Sequence, residues 1–145
     1  MKKITSTILL LIGVWTLTSG LRGGDTLTQE QAIKLAEKFI IENGYTSLPP
    51  DKSKLSYELL DQLKDNNIDS ILKLRQNTLQ LKAFCISEDN DKWNIGFLYT
   101  NIDLSKLDSV QRKSDLPGRA VIVMKNGKEI RIAHKDPLFS YFKKL

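Results

Sequence analysis

From Thr28 to Glu42 the apolar residues Ala32, Ile33, Leu35, Ala36, Phe39 and Ile40 recur at helical spacing, with Glu30, Lys34, Glu37, Lys38 and Glu42 between them. Thr28 and Gln31 stand at the spacing of a capping box, in which each side chain satisfies a free backbone N–H at the start of a helix. Asn43-Gly44 supplies the stop. The pattern predicts one amphipathic helix whose apolar stripe needs a sheet or a second helix to cover it.

The pattern then loosens. The segment from Tyr45 to Ser53 contains Pro49-Pro50 and reads as a loop. Leu55, Tyr57 and Leu59 alternate with polar residues, as in a short strand, with a helical turn as the alternative. Asp65-Asn66-Asn67 breaks the chain, and Ile68, Ile71, Leu72 and Leu74 predict a second short helix ending near Arg75.

Two hairpins follow. Gln80 to Ser87 and Lys92 to Thr100 flank the polar turn Glu88 to Asp91. A four-residue loop there puts Phe84 and Ile86 on one face with Trp93, Ile95 and Phe97, and turns Cys85 the other way, near Asn94. Gly118 to Lys125 and Lys128 to His134 are joined by Asn126-Gly127, a pair that favours a type I′ turn because both central residues need positive φ. That turn sets Val123 against Ile130 and Val121 against Ile132 on the buried side. It sets Ile122 against Arg131 and Met124 against Glu129 on the more exposed side. Between the hairpins, Asn101 to Pro117 is a polar connection with a helical turn expected at Leu104 to Leu107. In the tail, Leu138, Phe139 and Phe142 are positioned to dock. A helix followed by antiparallel hairpins reads as α+β, with the helix packed on a curved antiparallel sheet of about four strands.

The first residues have a different character. Lys2 and Lys3 precede an almost entirely apolar run from Ile8 to Leu17, then Thr18, Ser19 and Gly20. This is the order of a signal peptide: charge, apolar core, small residues. Residues 1–24 are therefore expected to be a signal peptide, or an uncleaved anchor, and residues 25–145 a single α+β domain. The expected location is periplasmic or secreted.

Composition limits the chemistry. With one Cys and one His among 145 residues, neither a disulfide framework nor a His-pair metal motif is available. Cys85 with His134 is the only thiol–imidazole pair, and a lone Cys on an apolar strand is ordinarily a small core residue. Asp65 to Asp69 and Asp89-Asn90-Asp91 resemble the starts of calcium loops. The first lacks the glycine and the closing acid, and the second has Trp93 where an oxygen ligand belongs, so both read as polar turns. Glu58 with Asp61, and Asp103 with Asp108, are carboxylate pairs by residue type alone. No glycine-rich phosphate loop, nucleophile elbow or dinucleotide fingerprint occurs, so no cofactor, no metal and no catalytic residue is assigned.

Several local motifs resemble the cystatin-like, nuclear-transport-factor-2-like immunity domains of bacteria. They are Glu30-Gln31-Ala32-Ile33 with Ala36-Glu37, Trp93-Asn94-Ile95, and Gly118-Arg119-Ala120-Val121 through Asn126-Gly127-Lys128-Glu129-Ile130. The connection Asn101 to Pro117 is long for that pattern. The resemblance implies a module that binds and neutralises a toxin partner without catalysis. The fold also hosts enzymes, so the alternative is a small-ligand-binding protein or enzyme using a pocket between helix and sheet. That alternative needs a buried acid or tyrosine pointing inward, with Tyr57 and Tyr99 as candidates.

Charge points to a candidate partner surface, the alternative being that lysines at a hairpin tip blunt a sheet edge and aid solubility. Residues 25–109 hold 10 basic and 14 acidic side chains, whereas residues 110–145 hold 9 basic and 3 acidic. The whole mature part is close to neutral, which argues against nucleic acid as partner. Its basic third contains the final hairpin, where Lys125, Lys128, Arg131 and His134 are the expected partner-binding residues, facing an acidic protein. In the type I′ register Lys125 and Lys128 sit opposite each other, a like-charge pair that weakens a hairpin.

Overall fold

The computed structural model describes residues 26–58 and 66–145. The expected signal segment lies outside the described residues, as do Leu59, Asp61 and Asp65.

Helix α1 spans Gln29–Glu42 and opens on the capping box: the Gln31 N–H donates to Thr28 Oγ1 and the Thr28 N–H to Gln31 Oε1. It ends at Asn43, and Gly44 turns the chain with φ of 81°. Helix α2 spans Ile68–Arg75, and the Asn67 side chain caps it by accepting from the Asp69 N–H. The polar run read as a broken calcium loop thus ends as a helix cap.

The expected strand at Leu55 and Tyr57 does not form. Side chains take over the backbone groups that a strand would have paired. Asn43 Oδ1 accepts from the Ser56 N–H and hydroxyl at 2.6 and 2.9 Å, and Arg75 donates to the Ser56 carbonyl at 2.6 Å. With these groups already satisfied, ladder pairing gains nothing there.

The sheet has five antiparallel strands in the order β4-β3-β2-β1-β5. They are β1 Cys85–Glu88, β2 Lys92–Leu98, β3 Gly118–Met124, β4 Ile130–Ile132 and β5 Lys143–Lys144. The first hairpin turns more tightly than a four-residue loop. The Asp89 N–H donates to the Lys92 carbonyl, and the register pairs Ile86 with Ile95 and Cys85 with Gly96. Cys85 therefore lies opposite Gly96, not near Asn94. Phe84 falls just before β1 and packs with Cys85, on the face opposite Ile86 and Trp93.

The second hairpin has the expected register, Val121 with Ile132, Ile122 with Arg131 and Val123 with Ile130. Its turn differs. The Gly127 N–H donates to the Met124 carbonyl, and Gly127 has φ of 71°, but Asn126 is not in the positive-φ region. A type I′ turn needs both. Asn126 instead uses its side-chain oxygen to accept from the Lys128 N–H at 3.0 Å.

Two cores result. On one face, Ala32, Ala36, Phe39 and Ile40 of α1 share a cluster with Trp93, Ile95, Phe97, Val121, Val123 and Ile132. Leu27 joins it: its N–H donates to the Lys125 carbonyl and its own carbonyl accepts from the Trp93 indole N–H. Ile33 and Ile130, expected to be buried, are partly buried against this core. The other face was expected to be the more exposed one, yet Ile122 on it is buried. There Cys85 and Leu98 pack with Leu116 from the connection and Phe139 from the tail.

Glycines make that second packing fit. A Cβ on Gly118 would lie 2.1 Å from the Phe97 carbonyl oxygen and 2.7 Å from the Phe139 ring. A Cβ on Gly96 would lie 2.5 Å from Cys85 Sγ and 2.7 Å from the same ring. The two bare backbone positions form the seat for Phe139.

Candidate functional site

The final hairpin holds the residues that charge pointed to, and the fold treats them differently. Lys125 is largely withdrawn from solvent, its side chain 17% exposed, with Nζ 2.6 Å from Glu88 Oε1 and 5.1 Å from the Trp93 ring centroid. Its backbone N–H donates to the Asp91 carbonyl of the neighbouring hairpin. The expected Lys125–Lys128 confrontation is thus relieved, because Lys125 is bound to a carboxylate on another hairpin. Arg131 Nε donates to Glu129 Oε1 at 3.0 Å. Lys128 and His134 are exposed, and no carboxylate among the described residues lies within ion-pair reach of either.

Cys85 and His134 do not come together. Cys85 is buried on β1, His134 follows β4, and β2 and β3 stand between those strands. Burial pushes the Cys85 thiol up to about 12, against the small opposing effects of the Gly96 backbone and Lys144. A thiol so held is protonated and unreactive at neutral pH. Asp103 and Asp108 each serve a local turn, accepting from the Ser105 and Gln111 N–H groups. Asp89 accepts from Asn94 Nδ2.

A polar cluster that the sequence did not announce lies at the end of α1. Tyr45, Glu58, Arg75, Tyr99 and Arg119 line a recess of about 210 Å³. Arg119 grips Glu58 through both terminal nitrogens, at 3.3 and 2.9 Å, and the Tyr45 hydroxyl donates to Glu58 Oε1. The Arg75 guanidinium sits 4.8 Å from the Tyr45 ring centroid. Burial, aided by Glu58 and opposed by Arg75, pushes the Tyr45 phenol well above its ordinary range. Burial lowers the Arg119 guanidinium, but the hydrogen bonds and charge of Glu58 outweigh it and hold it above its usual value.

Of the two tyrosines considered for a ligand pocket, Tyr99 lines this recess, whereas Tyr57 is 42% exposed. Both Glu58 oxygens are engaged, so the cluster works as a clamp. It ties Glu58 to the sheet through Arg119 of β3 and to the end of α1 through Tyr45.

No protein-family model, curated protein or solved structure matches this chain.

Proposed function

We propose that the chain is an exported protein-binding module whose basic C-terminal third engages an acidic partner, in the manner of an immunity protein or inhibitor that neutralises a toxin. Export rests on the signal-like residues 1–24, and a cystatin-like, nuclear-transport-factor-2-like architecture goes with this reading. The observation that carries it is the division of the cations. Before residue 110, Lys38, Lys52, Lys54, Lys82, Lys92 and Lys106 have carboxylates within 4.0 Å, and only Lys34 and Lys73 among the described lysines there have none. In the last third, Arg112, Lys113, Lys128, Lys135, Lys143 and Lys144 have none among the described residues. Arg112 stands with Lys144, whose Nζ donates to its carbonyl, beside Lys143 on β5, whereas Lys128 lies in the hairpin at the other edge of the sheet; unneutralised charge of one sign steers an oppositely charged protein and raises its association rate more than its final affinity.

The experiment is capture of the partner by the tagged mature chain after cross-linking in the producing cell, followed by stopped-flow association of the purified pair. The expected result is an acidic protein whose association slows steeply with added salt. A partner whose on-rate ignores salt and ignores Lys128→Glu with Arg131→Glu overturns the electrostatic reading. A full-length cytosolic product overturns export.

A further inference from the structure

The second face of the sheet carries a trough made of two adjoining depressions, of about 220 and 380 Å³, that share Phe84, Arg112 and Lys144. One runs toward Leu104, the other toward Phe139 and Phe142. Its floor is aromatic: the Phe139 ring lies 6.1 Å from Phe84 in a tilted pair and 5.4 Å from Phe142 edge to face, centroid to centroid. Its rim is cationic. Arg112 is anchored by a single bond from Nε to the Leu107 carbonyl at 2.9 Å, and its two terminal nitrogens have no acceptor among the described residues. Lys144 Nζ donates to the Arg112 carbonyl at 2.9 Å and stands 5.8 Å from the Phe84 ring centroid. Lys113 adds a third charge at the same rim.

Cations on edge strands ordinarily keep sheets from pairing with one another. That accounts for Lys143 and Lys144 on β5. It does not account for Arg112 and Lys113, which lie on a 3-10 turn, Gln111–Lys113, and on no strand. A guanidinium fixed at Nε with its fork open is preorganised for a carboxylate. Beside it, an aromatic hollow suits one apolar side chain.

We propose that this trough is the docking site for an extended acidic segment of the partner, with a phenylalanine-like or leucine-like anchor seated among Phe84, Phe139 and Phe142 and flanking carboxylates on Arg112, Lys113 and Lys144. The proposal rests on the reading of the chain as a binder of an acidic protein. The depressions of about 220 and 380 Å³ lie below and at the low end of the roughly 300–1,000 Å³ typical of small-molecule sites, and they adjoin at Phe84, Arg112 and Lys144, so an occupant that follows both is extended, as a peptide segment is.

The test is fluorescence anisotropy with a labelled peptide of eight glutamates flanking one central phenylalanine, titrated with the mature chain. Saturable binding is expected. Replacing the peptide's phenylalanine by serine should weaken it by about tenfold or more, equivalent to about 1.4 kcal/mol. Arg112→Glu with Lys113→Glu, both at exposed positions, should do the same, and Arg112→Gln with Lys113→Gln should show the effect should the reversal disturb folding. Lys34→Glu, at an exposed position on α1 and so on the other face of the sheet, should leave binding within about twofold. No saturable binding, equal binding of the serine peptide, or indifference to the Arg112 and Lys113 changes overturns the trough. Displacement of the peptide by dodecanoate at lower concentration than by unlabelled peptide overturns the peptide as occupant. A captured partner that binds the Arg112→Gln, Lys113→Gln chain unchanged defeats the trough and leaves the binding reading standing. Peptide binding in the trough, alongside a partner insensitive to salt, does the reverse.

Discussion

The two faces of the sheet are covered by different means. The α1 face is closed by one long regular element whose apolar stripe matches β2 and β3, so Ala36, Ile40, Ile95 and Val121 are sealed from solvent. The second face is closed piecemeal, by Leu116 from a connection without regular strands and by Phe139 from the tail. Regular cover buries a stripe and leaves charge to the opposite side of the helix. Piecemeal cover leaves seams, and the trough with its unneutralised cations is such a seam.

The largest expected effect is on the helical face. Phe39→Ala should cost about 3–5 kcal/mol in urea unfolding, because a buried ring is lost and the rigid helix relaxes little into the space. A loss under about 1 kcal/mol would mean that the helix is a lid and not part of the core.

Alkaline pH addresses both faces together, since each conceals a group whose ionisation burial strongly opposes. Cys85 has a folded pKa of about 12 against an ordinary 9.0. Below 9 folded and unfolded thiols are both protonated and the contribution to stability is present in full. As pH rises toward 12 the unfolded thiol ionises while the folded one does not, so stability falls, by about 2–3 kcal/mol near pH 11. Tyr45, also raised by burial, adds a loss that begins above its ordinary 10.0. Cys85→Ala should remove the part of the decline that starts near pH 9 and Tyr45→Phe the later part, read from unfolding curves at stepped pH.

On the second face the informative changes add atoms. Gly118→Ala should cost about 1–3 kcal/mol, and Phe139→Leu should not rescue it, because the obstruction includes the Phe97 backbone. The atoms nearest to a Cβ on Gly96 belong to the side chains of Cys85 and Phe139 and not to backbone. The loss in Gly96→Ala should therefore shrink in the Phe139→Leu background. Equal rescue at both positions would place the clash wholly in the ring.

The smallest effects separate two lysines of one hairpin. Lys125→Glu faces Glu88 and loses its place over Trp93, so about 1 kcal/mol of stability should go. Lys128→Glu, at an exposed position, should change stability by less than about 0.5 kcal/mol. Equal losses in thermal unfolding would mean that the Glu88 pairing contributes nothing.

Local signals made α1, α2 and the register of the second hairpin legible. A capping box, an Asn-Gly stop and alternating valine and isoleucine act within a few residues of themselves. The second face was not legible, because Leu116 and Phe139 sit in segments without periodicity, and nothing in Gly96 or Gly118 taken singly says that an aromatic ring will rest on both. At Leu55 and Tyr57 the alternation was present, but Asn43 and Arg75 claimed the backbone first. For the candidate site, the charge count found the basic third. Which of its cations stay unneutralised was decided by pairings such as Lys125 with Glu88, 37 positions apart, and no local pattern carries that. The Tyr45–Glu58–Arg119 clamp is hidden for the same reason.

The pairing of β5 with β1 sets an order of assembly. Hairpins β1–β2 and β3–β4 close over short turns at small loop-closure entropy and are expected to form before the longer-range pairings. Joining β2 to β3 requires the whole connection to be gathered in, and the chain after β4 must return past β3, β2 and β1 for β5 to pair on the far edge of β1. Until it does, the open edge of β1 and the glycine seat beneath Phe139 are uncovered. The tail that pairs β5 with β1 also brings Phe139, Phe142 and Lys144 to the trough, so the trough exists only where that pairing is made.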